Sequence, residues 1–138
     1  MAEGFNPTGV AKPFGIFSCA AWQPEGKVLH ISGQVAQDED GKTVGLGDIK
    51  VQTRQTLKNI ENVLKSVGGL MSDVVKITVF LMDISTLQDV HAVRAEFFQK
   101  PYPASTLVQV TRLVNRDWLI EIEAVAVIPH DRARLHPA

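Results

Sequence analysis

Hydrophobic and polar positions repeat along this chain with two different periods, and the change of period marks its elements. Between Asp48 and Val67, residues Thr53, Leu57, Ile60, Leu64 and Val67 recur at three- and four-residue spacing, the signature of a one-sided helix. Asp48 is placed to cap its start, and Gly68-Gly69 to end it. A second helix is predicted after Ser85, with Gln88 three residues on in a capping-box pattern. Its apolar stripe is Leu87, Val90 and Phe97, with Val93 a further candidate, and Pro101 and Pro103 prevent continuation.

The remaining apolar segments read as strands. Phe17 to Trp22 and Val28 to Ser32 flank the turn sequence Gln23-Pro24-Glu25-Gly26 and predict a hairpin. Val74 to Leu81, rich in β-branched residues, is a strand between the two helices. Ser105 to Val110 and Trp118 to Ile128 flank Val114-Asn115-Arg116-Asp117 and predict a second hairpin. Asp38 to Gly47 is polar and glycine-rich, a loop with room for one short strand. The order β-β-(β)-α-β-α-β-β is an α+β arrangement of one domain spanning residues 1–138, with both helices on one face of a mixed sheet.

The last strand carries the chemistry. Side chains alternate across a strand, so Ile120, Ile122, Ala124, Ala126 and Ile128 form a core face. Trp118 has the same parity. Glu121, Glu123, Val125 and Val127 point the other way, a face that begins charged and ends apolar. With Ser105, Leu107 and Gln109 assigned to that same face, it is too apolar for water, and a second subunit is expected to cover it. A carboxylate at the edge of such a cover is a candidate for proton chemistry.

Composition narrows the rest. Hydrophobic residues at 45% and charged residues at 21% describe an ordinary globular chain. A net charge of −1 gives no electrostatic reason to expect nucleic acid or an anionic membrane as partner. No apolar run approaches a membrane span, and Met1 to Pro7 lacks the basic and apolar regions of a signal peptide. The single cysteine, Cys19, excludes an internal disulfide, fits a cytoplasmic location and reads as a small buried hydrophobe. Four scattered histidines give no metal-ligand pattern. His30, on the side of Ser32, reads as a packed aromatic; the Ser32 hydroxyl reads as bonded to backbone rather than as a nucleophile, having no His-Asp arrangement near it.

A set of short segments together resembles the Rid (RidA/YjgF) family of enamine and imine deaminases. They are Ile31-Ser32-Gly33-Gln34, Gln52, Asn59-Ile60, Leu64-Lys65-Ser66-Val67-Gly68-Gly69, Val74 to Leu81, Pro103-Ala104 and Ile120 to Ala126, within a match running from about Asn6 to Ile128. The resemblance implies a chorismate-mutase-like α+β fold, a mixed six-stranded sheet with two helices on one face. It also implies a homotrimer whose inter-subunit clefts bind small 2-enamine or 2-imine carboxylates, with no metal or organic cofactor. Glu121 stands where the family holds or activates the attacking water, and backbone at Gly33 and near Leu107 where it helps hold substrate.

Two positions depart from the pattern. Typical members have an Arg where Ser105 stands, gripping the substrate carboxylate, and a Tyr where Phe17 stands. A serine hydroxyl cannot reproduce a bidentate guanidinium, a loss typically worth about 2–5 kcal/mol. No replacement is evident from the sequence: Arg112 has the opposite parity from Ser105, Arg116 lies in a turn and Arg94 on a helix. The expected site is therefore catalytic Glu121 with Phe17, Ser32, Gly33, Ser105 and Leu107 around the substrate. The expected activity is hydrolytic deamination of a small enamine or imine, weak toward the typical 2-imino acids. The alternatives are a non-catalytic trimeric small-molecule binding or regulatory protein and a ribonuclease, the latter disfavoured by the absence of basic clusters interleaved with aromatics.

Overall fold

The computed structural model describes residues 1–137. In chain order its elements are β1 (Glu3–Phe5), β2 (Ala20–Trp22), β3 (Lys27–Gln34), α1 (Ile49–Ser66), β4 (Val74–Leu81), α2 (Leu87–Phe97), β5 (Ala104–Gln109) and β6 (Ile120–Ile128). Both helices pack against a mixed sheet of order β3-β6-β4-β5, while β1 and β2 pair as a ribbon joined to the β5 end by a bridge between Ser18 and Ala104. The expected α+β class, with two helices and six strands, is the fold observed.

The pairing differs from both predicted hairpins. α2 carries the chain back across the sheet, so β5 runs parallel to β4, with Ile77 opposite Ser105 and Val79 opposite Leu107. β6 then inserts antiparallel between β3 and β4 instead of folding back on β5. β2 pairs with β1 rather than β3. A good turn sequence fixes a reversal of direction, but not which strand the returning segment joins.

α1 begins as the sequence predicts, the Asp48 carboxylate accepting from the Val51 amide, and ends at Gly68, whose φ of 84° is the left-handed conformation of a helix stop. α2 starts differently. Ser85 does not cap it; a 3-10 turn over Ile84–Thr86 intervenes, capped by Asp83, which accepts from both the Ser85 amide and its hydroxyl. Leu57, Ile60 and Leu64 of α1 and Val90 and Val93 of α2 are fully buried against Ile77, Val79 and Leu81 of β4 and Ile120 and Ile122 of β6. Each such side chain contributes about 1.5–3 kcal/mol relative to exposure.

The opposite face of the sheet carries Lys76, Thr78 and Phe80 from β4, Glu121, Glu123 and Val125 from β6, and His30 from β3. Val127 is not open, because Ala2 and Val75 close over it. The polar tail after β6 is also fastened: Arg132 grips the buried Asp73 carboxylate through two bonds of 2.8 and 3.0 Å.

Candidate functional site

Glu121 is positioned by a bulge. Between the pairs Ile31–Ala124 and Gln34–Ile122, two residues of β3, Ser32 and Gly33, oppose the single residue Glu123. The bulge brings the Gly33 backbone against the Glu121 side chain so closely that a Cβ there would collide with the carboxylate. The glycine matters for this approach rather than for its backbone angle, since a Cβ would displace the free end of the Glu121 side chain. Across the sheet Glu121 pairs with Phe80. The carboxylate is half-buried and has no hydrogen bond or ion pair among the described residues. It is a free acceptor beside an aromatic ring, able to orient a water molecule.

β6 enters this position under the control of Gln52, fully buried on α1. Its amide donates to the carbonyls of Gly45 and Asp117 at 3.1 and 2.8 Å and accepts from the Leu119 amide at 2.8 Å. Asn59, two turns on, donates to the carbonyls of Val35 and Gln37 just after the bulge. Thus one helix fixes both the strand that carries Glu121 and the end of its neighbour β3.

Phe17, Ser105 and Leu107 come together elsewhere, in a pocket of about 450 Å³ between α2, β5 and the segment around Phe14, whose other walls include Leu87, His91 and Arg94. The parallel register puts Ser105 and Leu107 on the helix side of the sheet, with the core residues Ile77 and Val79. The assignment of Ser105, Leu107 and Gln109 to the Glu121 face is therefore corrected. Ala104, Thr106 and Val108 hold that face, where Lys76 donates to the Thr106 hydroxyl, and Gln109 turns back to accept from the Ile84 amide before α2.

This second pocket holds what the sequence did not reveal. Arg94 is completely buried, donates to the Ile16 carbonyl at 2.7 Å and leaves its Nε without a partner. The Ser105 hydroxyl and both ring nitrogens of His91 are also buried and unpartnered. Burial lowers the Arg94 guanidinium to about 10. Burial, reinforced by the Arg94 charge, lowers His91 as well and favours the neutral imidazole. Gly15 lies against the His91 ring where a Cβ would clash, and Phe14 meets that ring edge-on.

Several smaller expectations change. Ser32 is exposed; its carbonyl accepts from Gln34, while its hydroxyl bonds nothing among the described residues. His30 is exposed on its strand rather than packed. Cys19 is half-buried with its thiol 3.6 Å from the Ala11 carbonyl, not a core hydrophobe. Trp118 precedes β6 and donates to the Thr43 hydroxyl instead of joining the core. Arg112 and Arg116 are exposed and lie outside the pocket.

Comparison with known proteins adds identity to this geometry. The profile of the family described as endoribonuclease L-PSP matches residues 11–128. A RutC family protein of Pyrococcus horikoshii is 43% identical over 126 residues, covering 91% of this chain and 98% of the relative. A 2-iminobutanoate/2-iminopropanoate deaminase of Dermatophagoides farinae is 32% identical, covering 85% and 89% respectively. Among solved structures, a Rid family protein of unknown function from Yersinia pestis superposes with a TM-score of 0.84 at 34% identity, over 92% of this chain and 98% of its own. RidA from an Antarctic Psychrobacter gives 0.69 at 32% identity, over 84% and 91%.

Proposed function

Given that this chain belongs to the Rid (YjgF) family, we propose that it is a hydrolytic deaminase of a small enamine or imine metabolite. The observation that carries the reading is the free Glu121 carboxylate, resting against the β3 backbone where residue 33 is glycine. In the proposed reaction an enamine first tautomerises, gaining a proton on carbon and losing one from nitrogen, to become the imine. Glu121 holds a water against the imine carbon and accepts its proton as the C–O bond forms. Returned to nitrogen, that proton completes a carbinolamine; transfer of the remaining hydroxyl proton to nitrogen, again through Glu121, then lets the C–N bond break as the C=O bond forms, so imine and water become a carbonyl compound and ammonia. No metal or organic cofactor enters this scheme.

Within one chain the Glu121 set and the Ser105 set lie on opposite faces of the sheet, so neither is a whole site. We propose that a homotrimer joins them, with the Gly33–Glu121 edge of one subunit facing the Phe17–Ser105–Leu107 pocket of the next. The half-apolar open face, with Val28 and Val108 exposed and Phe80 and Val125 half-buried, supports such a cover. We place the protein in the cytoplasm, where the unpaired Cys19 would stay reduced. A panel of imines tests the activity. Ammonia release faster than spontaneous hydrolysis from at least one of them is expected, whereas no acceleration with any would leave the binding-protein reading.

A further inference from the structure

Phe17 forms a wall of two hollows. One is the pocket described above; the other, of about 420 Å³, lies between the segment that carries Asn6 and Phe17 and the loop after α2. It has the size of a small-molecule site. Lys12 lines it from the segment and Lys100 from the loop, and no acidic residue is in its walls. Neither lysine makes an ion pair among the described residues. In a chain with 15 acidic residues against 14 Lys and Arg, two ammonium groups around one hollow are a local excess of positive charge. A cleft concentrates the field of such an excess. Neutral donors add to it. Asn6 accepts from the Cys19 amide through its Oδ1 at 2.8 Å, which leaves its amide N–H groups free. The Tyr102 hydroxyl bonds nothing among the described residues; only the Tyr102 carbonyl is engaged, by Ser18. Donors without a carboxylate among them are complementary to an anion rich in acceptors.

We propose that this hollow binds a phosphate monoester carrying a planar ring, the phosphate between Lys12 and Lys100 and the ring against Tyr102 and Phe17. Two ammonium groups match the charge of a phosphate monoester, whereas a carboxylate brings only one negative charge. Lysine suits phosphate because it binds as a point charge and needs no fixed fork. The aromatic surface of Phe17 and Tyr102 suits a flat ring, and Pro7 and Pro13 fix the backbone angles of the segment on either side of Lys12. A single phosphate is favoured over a nucleic-acid strand, since the chain is slightly acidic and lacks a row of basic residues to track successive phosphates. The site uses neither Glu121 nor the deaminase reading.

Titration calorimetry on the intact protein at low salt tests it with three probes: AMP, adenosine without the phosphate, and ribose 5-phosphate without the ring. AMP is expected to bind, and each of the other two at least about tenfold more weakly, the scale of a charge-assisted contact or of one stacked ring. Lys12→Met and Lys100→Met should each weaken AMP about tenfold, and the double variant should bind it no better than adenosine. Lys42→Met, at an exposed lysine outside the hollow, should leave AMP binding unchanged. Lys12 and Lys100 are exposed too, so all these variants should keep the wild-type Tm. Raising the salt should weaken AMP and spare adenosine. No binding of AMP, AMP binding no tighter than adenosine or ribose 5-phosphate, an equal loss in Lys42→Met, or full AMP binding in the double variant would each overturn the proposal.

Discussion

At the scale of single residues, the account depends on Gly33 as much as on Glu121. Gly33→Ala should leave the strand intact, since the position has ordinary backbone angles, but must push the carboxylate aside. Imine turnover is expected to fall about 10²-fold with little change in Tm, as a misplaced acid–base group costs about that much; an unchanged rate would separate the glycine from the site. Glu121 itself was legible from strand parity, because an isolated carboxylate between Ile120 and Ile122 must leave the core. Arg94 was not legible. Helical spacing gives the face of a residue but not the reach of a long side chain, and the Ile16 carbonyl that fixes this one is 78 residues away.

At the scale of elements, α1 was readable end to end because its signals are local: the Asp48 cap, the apolar stripe and the glycine stop. Strand pairing was not, because β6 finds its partners β3 and β4 across long separations, whereas turn sequences speak only of neighbours. What local pattern cannot show, buried polar groups enforce. Gln52→Leu should destabilise the protein by about 2–4 kcal/mol, since it strands two carbonyls and one amide at the entry to β6; urea unfolding measures this. α2 makes a pH prediction. Burial and Arg94 lower the folded-state pKa of His91, so below about pH 6.5 the unfolded chain takes up the proton more readily. Stability of the wild type should therefore fall as pH drops below that value, and His91→Gln should lose this part of the decline. A pH profile identical in the two proteins would show that His91 titrates alike folded and unfolded.

At the scale of the whole molecule, the alternation of β6 announces a second, half-apolar face, although the chain closes part of it itself with Ala2 over Val127. The part left open, from Val28 and His30 to Phe80 and Val108, is where subunits are expected to meet. Sedimentation at micromolar concentration should give a trimer, and a stable monomer would leave the two halves of the site on opposite faces with nothing to join them. The central claim is that Glu121 activates water against an imine. Its most direct test is the rate of ammonia release from whichever imine of the panel the wild type accelerates most, in the presence of wild type, Glu121→Gln or Glu123→Gln. The account predicts acceleration by the wild type, a fall of about 10²-fold or more in folded, trimeric Glu121→Gln, and a much smaller change at the exposed Glu123. Equal losses at both positions, or a Glu121→Gln variant as active as the wild type, would contradict it.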